Sequence, residues 1–180
     1  GGHFCNDIAL DGAGNAYVTD SFSPIIYKVD AGNNASVLLN HKRFTGENFN
    51  LNGIVVKDGY LLVAKMNEGL LFKVPLDKPD QFTQVKIKET LPGADGLLWG
   101  PDGTLVVIVN GKINKVFKLT SSDHWSSANV VNSVDTGNVF ATTGVVRDGN
   151  IYALYAMLHV LFNPDTKTHI DKYDIRQQKL

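Results

Sequence analysis

The chain is short of several features that would each have pointed to a function. It has a single cysteine, Cys5, so no internal disulfide can form and no disulfide framework holds it together. It has no excess of either charge: 17 basic residues stand against 18 acidic ones, for a net charge of -1. No cluster of Lys and Arg advertises a nucleic acid or an anionic membrane surface as a partner. It has no long apolar run either; the longest, Ile151 to Phe162, is too short and too polar to span a bilayer. A Gly-x-Ser-x-Gly elbow is missing, which leaves a serine hydrolase without support. No set of His and Cys residues has the spacing of a zinc site. No stretch reads as an amphipathic helix of three turns.

What remains is ordinary globular composition, 43% hydrophobic and 19% charged, in 180 residues. That is enough for one domain with a core. The residues from Gly1 onward do not read as a signal peptide, and the abrupt opening leaves room for a leader already removed. Asn34-Ala35-Ser36 fits the N-glycosylation pattern. The compartment is therefore open, with a secreted or extracellular setting favoured over a cytoplasmic one.

The positive signal is repetition. Asn6-Asp7-Ile8-Ala9-Leu10, Asn52-Gly53-Ile54-Val55-Val56, Asp95-Gly96-Leu97-Leu98-Trp99 and Thr143-Gly144-Val145-Val146 each open a unit. Each is followed by a turn: Gly14-Asn15, Asp58-Gly59, Asp102-Gly103 or Asp148-Gly149. A second apolar run then begins. Asp-Gly tolerates the positive φ of a tight hairpin, so each unit predicts two paired strands. The opening positions 6, 52, 95 and 143 lie 46, 43 and 48 residues apart, the length of a four-stranded propeller blade. Third strands are predicted at 25–29, 70–74, 116–119 and 160–162. More polar fourth strands are predicted at 36–39, 82–87, 128–134 and 169–175. The first strand of every unit reads as apolar on both faces, as expected where neighbouring blades cover both. The fold class is therefore all-β, a β-propeller with four blades visible of an expected six. The blades run over about 1–45, 46–90, 91–138 and 139–180.

Equivalent positions of successive blades are related by rotation about a central axis. Asn6, Asn52 and Asp95 should therefore face one another. Two carboxamides and a carboxylate are hard oxygen donors, suited to Ca²⁺ or another divalent cation. The alternative is that each is a turn residue bonding its own backbone. Thr143 is a weaker fourth member, lining the mouth. Among other residues, His3 reads as incidental or as a proton shuttle. His159 reads as a packed core histidine in an apolar strand. Cys5 reads as a buried structural thiol, and Trp99 and Trp125 as packing at blade interfaces.

Phe4-Cys5-Asn6-Asp7-Ile8-Ala9-Leu10-Asp11, Leu51-Asn52-Gly53 and Ala94-Asp95-Gly96-Leu97 with Pro101-Asp102-Gly103 resemble blade-opening motifs of the SMP-30/gluconolactonase/LRE-like family. The resemblance implies a calcium-dependent propeller hydrolase acting on a lactone or ester. Asn6, Asn52 and Asp95 would be metal ligands, and Asp95 the catalytic base or nucleophile. The family's glutamate ligand has no counterpart in a Gly-Glu-Gly-Pro-like segment here, and four units are fewer than the family's six. The expectation is a C-terminal portion lacking about two blades. A non-catalytic, metal-stabilised propeller and a metal-free relative of strictosidine synthase are the competing readings.

Overall fold

The computed structural model describes residues 2–163, 165, 167 and 170–180. The strands form four antiparallel sheets in chain order, a four-bladed β-propeller arrangement. The first blade holds β1 (Cys5–Leu10), β2 (Ala16–Asp20), β3 (Ile25–Val29) and β4 (Ala35–Asn40). The second holds β5 (Leu51–Lys57), β6 (Tyr60–Lys65), β7 (Leu70–Pro75) and the short β8 (Thr83–Gln84). The third holds β9 (Ala94–Trp99), β10 (Leu105–Val109), β11 (Lys115–Thr120) and β12 (Asn129–Asp135). The fourth holds β13 (Ala141–Arg147), β14 (Asn150–Tyr155) and β15 (Asp174–Gln178).

The hairpins close where the turn chemistry predicts. Lys57 pairs with Tyr60 and Arg147 with Asn150, across two-residue loops. Asp58 and Gly59 have φ of 47° and 79°, and Asp148 and Gly149 have 50° and 74°. Two successive positive φ angles match the right-handed twist of the flanking strands.

Each interface between consecutive blades has its own apolar cluster, and strand alternation feeds them. In β6, Leu61 and Val63 pack toward blade 1, while Leu62 and Ala64 pack toward blade 3. In β10, Leu105 and Val107 face blade 2, and Val106 and Ile108 face blade 4. Successive side chains of a strand point to opposite faces, so a strand between two neighbours must be apolar throughout. Trp99 and Trp125 sit at one such interface as expected, with ring centroids 5.4 Å apart, and Trp99 Nε1 donates to the Val56 carbonyl of the preceding blade at 3.1 Å.

Five expectations need correction. The predicted third strand at 160–162 is instead a short helix, α1 (Leu158–Leu161), and the turn after it. Met157 takes a left-handed conformation there, φ 54°, and redirects the chain. The apolar run alone did not distinguish strand from helix. The strand that pairs with β14 is β15, which overlaps the predicted fourth strand only at Asp174 and Ile175; His169 of that prediction lies outside the described residues. The predicted strand at 82–87 shrinks to two residues, because Lys86 turns away to bond Ser126 and Ala128 of the next blade. Finally, the doubly apolar first strand is buried on both faces only in β5 and β9. In β1, Ile8 and Leu10 are 59% and 70% exposed, and in β13, Val145 is 52% exposed. Cys5, in β1, is exposed for the same reason and is not a buried thiol.

Candidate functional site

Every first strand carries the same irregularity. In β1, Cys5 opposes Asp20 and Ile8 opposes Val18, so Asn6 and Asp7 together face one residue. The same two-against-one bulge holds Asn52-Gly53 in β5, Asp95-Gly96 in β9 and Thr142-Thr143 in β13. A bulge bends its strand and re-aims a side chain. Here four bulges at one position of four blades turn their residues toward one cavity. Register thus makes Thr142, not Thr143, the counterpart of Asn6, Asn52 and Asp95; both threonines line the cavity.

The glycines of the bulges explain how the blades come together. A Cβ on Gly53 would collide with the Asp95 carbonyl oxygen, and one on Gly96 would lie 2.7 Å from the Thr142 carbonyl oxygen. Each bulge glycine admits the backbone of the following bulge. In blade 1 the position belongs to Asp7, whose Oδ2 accepts from the Ile54 amide at 3.0 Å and ties β1 to β5. Thr19 and Ser21, fully buried, complete that seam by donating to the carbonyls of Asn52 and Leu51 at 2.7 and 2.6 Å.

In the first three blades the opening residue is propped by the residue that directly follows the second strand of its own blade. Asn6 Nδ2 donates to Ser21 Oγ at 2.8 Å, and Asn52 Nδ2 to Met66 Sδ at 3.1 Å. Asn110 Nδ2 donates to Asp95 Oδ2 at 2.6 Å. In blade 4 the propping position is Ala156, which faces the cavity without a polar group. The amides of Asn6 and Asn52 thus spend their N–H groups on their own blades, which leaves the carbonyl oxygens as their donor atoms.

Asn6, Asp7, Asn52 and Asp95 line one cavity of about 400 Å³. Burial pushes the Asp95 carboxyl up to about 7; the Asn110 hydrogen bond opposes the rise, the charge of Asp7 adds to it, and Asn52 opposes it. Burial likewise raises Asp7, against the pull of the Ile54 and Ile8 amides. Two neighbouring carboxyls that resist ionisation invite a proton or a cation. Among the described residues no group of three or more His, Cys, Asp or Glu side chains is placed to hold a metal ion. The donor set is instead two carboxylates with two amide oxygens, which still matches the hard, mixed-oxygen preference of calcium.

The remaining predicted residues lie elsewhere. His3 sits outside the cavity; its Nδ1 is 2.7 Å from Asp20 Oδ2. The fully buried Asp20 also accepts the amides of Phe4, Phe22 and Ser23, each at 3.0 Å. His159 lies in α1 rather than in a strand and is only half-buried, and its Nδ1 is buried without a hydrogen-bond partner.

Sequence reasoning missed the aromatic wall. Phe4, Phe49, Phe140 and Phe162 line the cavity. Phe4, Phe49 and Phe140 stand two or three residues ahead of the bulges that begin at Asn6, Asn52 and Thr142. That recurrence was available as a signal.

No protein-family model matches the sequence, and no curated protein matches it. The fold does match solved structures. The Malassezia sympodialis allergen Mala s 1 superposes with a TM-score of 0.66 at 20% identity, over 88% of this chain and 52% of that one. Luciferin-regenerating enzyme gives 0.66 at 14% identity, over 93% of this chain and 57% of that one. A catalytically inactive virginiamycin B lyase from Staphylococcus aureus, with quinupristin, gives 0.65 at 12% identity over 99% and 56%. The chain thus spans about half the length of these structures. At these identities the similarity shows that the chain shares its β-propeller fold with these structures.

Proposed function

We propose that the cavity is the site of a propeller enzyme, a calcium-dependent hydrolase of lactones or esters. One observation carries this reading: the same bulge position of three consecutive blades delivers Asn6, Asn52 and Asp95 to a single cavity. The similarity in fold to luciferin-regenerating enzyme and virginiamycin B lyase supports a propeller enzyme.

Asn6 and Asn52 would hold a divalent cation through their side-chain carbonyls, and Asp95 through its carboxylate, with Asp7 as a second negative charge beside it. The cation would supply polarisation of the substrate carbonyl and stabilise the charge that develops on its oxygen. The chain's own residues do the rest. Asn110 fixes the Asp95 carboxylate, and Met66 and Ser21 fix the amides of Asn52 and Asn6. Asp95, held in place by Asn110, would take the proton of the attacking water as general base.

The test is Asp95→Asn, assayed on a lactone with and without added calcium. The isosteric amide should keep the fold and lower turnover by about 10²-fold or more, the usual contribution of a general base. Calcium affinity, measured by calorimetry, should fall with it. Turnover that survives both chelation and the substitution would remove the proposal. Calcium binding that raises the melting temperature with no turnover of any lactone or ester would identify a metal-stabilised binding protein instead.

A further inference from the structure

Asn6, Asp7, Asn52 and Asp95 bring polar groups to the cavity, but much of the remaining lining is apolar. Phe4, Phe49 and Met66 come from blades 1 and 2, and Phe140, Leu158 and Phe162 from blade 4. The first pair is braced. Phe4, Phe22 and Phe49 form a mutual trio, with centroids 5.1 to 5.4 Å apart and one edge-to-face contact. Asp20 anchors the backbone of this trio through the amides of Phe4 and Phe22. The second pair, Phe140 and Phe162, is at 6.2 Å and near perpendicular.

The backbone is strained to produce this wall. Asn48, Phe140 and Met157 all have φ between 47° and 59°. Asn tolerates that region, whereas a bulky residue there is uncommon and is held only when its surroundings enforce it. Phe140 is itself a wall residue, Asn48 precedes Phe49, and Met157 starts the helix that presents Leu158. Phe162 lines the cavity yet remains 60% exposed. Aromatic rings offer large, stiff apolar surfaces that pair edge-to-face with other rings.

We infer that the cavity binds a small neutral molecule with an aromatic body and one oxygen function, the ring between the two phenylalanine pairs and the oxygen toward Asn6, Asn52 and Asp95. A volume of about 400 Å³ suits a small molecule and excludes a folded segment. The largely apolar lining around Asp7 and Asp95 offers no cationic side chain to an anionic head group. The walls offer few hydrogen bonds to a polyhydroxylated sugar ring, which would lose its water without replacement. The inference rests on the hydrolase reading only for the identity of the oxygen function, a lactone or ester carbonyl; the aromatic body stands on the walls alone.

The experiment uses the full chain with calcium present. Calorimetry compares 3-phenylpropan-1-ol with glucose, and turnover compares dihydrocoumarin with glucono-1,5-lactone. The phenyl alcohol should bind and glucose should not. Phe49→Ala should weaken the phenyl alcohol about tenfold, the scale of one lost aromatic contact. Phe162→Ala, at an exposed position that leaves the fold alone, should weaken it by a smaller factor. Glucose binding as tightly as the phenyl alcohol, or both variants binding it unchanged, overturns the inference. Hydrolysis of gluconolactone in preference to dihydrocoumarin overturns it too, while leaving the hydrolase standing. Binding of the phenyl alcohol with no hydrolysis of either lactone upholds it and removes the hydrolase.

Discussion

The two middle blades and the two outer ones are built from the same repeat, yet they use it differently. In blades 2 and 3, alternate residues of β6 and β10 fill two separate cores, and Leu61, Leu62, Leu105 and Val106 are all fully buried. In blades 1 and 4, one face of the first strand is packed and the other is not: Ala9 and Ala141 are buried while Ile8, Leu10 and Val145 are exposed. Apolar surface stabilises only where something removes it from water. The pattern of a strand therefore records the neighbours it is suited to, and the packing reports which of them are met. The polar parts do not divide this way: Asp95 in blade 3 and Asp7 in blade 1 both have raised carboxyls, and Asp20 in blade 1 has a lowered one.

The comparison is broken most severely at the seam between blades 2 and 3. Gly53→Ala places a methyl group against the Asp95 carbonyl, so backbone must move. The expected loss is about 4 kcal/mol or more, at the severe end for a point substitution. Gly12→Ala, where a Cβ meets nothing within 4 Å, should be close to neutral. Urea unfolding of the two variants decides; equal stabilities would mean that the bulges do not interlock.

Truncation of a packed and an unpacked leucine gives the next largest contrast. Leu62→Ala should cost about 2 to 5 kcal/mol, the range for a fully buried site. Leu10→Ala should stay within about 0.5 kcal/mol. Comparable losses at both positions, by thermal or urea unfolding, would show that the outer face of blade 1 is covered in solution.

The smallest effect is electrostatic. Burial would raise the Asp20 carboxyl, but the Phe4 amide, His3 and the amides of Phe22 and Ser23 together hold it below its ordinary value. A lowered carboxyl stabilises the folded state above its unfolded pKa, and that contribution fades as pH falls below about 4 toward the folded value. Wild-type protein should lose stability over that interval, and Asp20→Asn should lose less of it. Identical acid profiles for the two proteins would refute the role assigned to Asp20.

Much of the fold was legible because hairpin turns are local. Asp58-Gly59 and Asp148-Gly149 adopt the positive φ pair that their residue types favour, and the strands on either side follow. The last blade was misread where local chemistry is silent. Val160 to Phe162 is apolar like a strand, but the left-handed turn at Met157 makes the segment a short helix. The candidate site was half legible. Asn6, Asn52 and Asp95 stood out as residue types at a common spacing, and all three line the cavity. Thr143 was aligned through Gly144, but hydrogen-bond register moves the equivalence to Thr142. The phenylalanine wall drew no notice, because an aromatic residue before a strand usually reads as core.

The repeat, the hairpins and the oxygen-bearing residues that open three units are written locally in the chain, because each follows from turn propensity and two-residue periodicity within a few neighbours. The packed fold brings four bulges to one cavity and makes Asp7 and Asp95 share it. It alone placed phenylalanines from separate blades around them. Those facts depend on contacts between residues more than forty positions apart, such as Asp7 with Ile54. No local preference encodes such a distance; it is fixed when the blades pack.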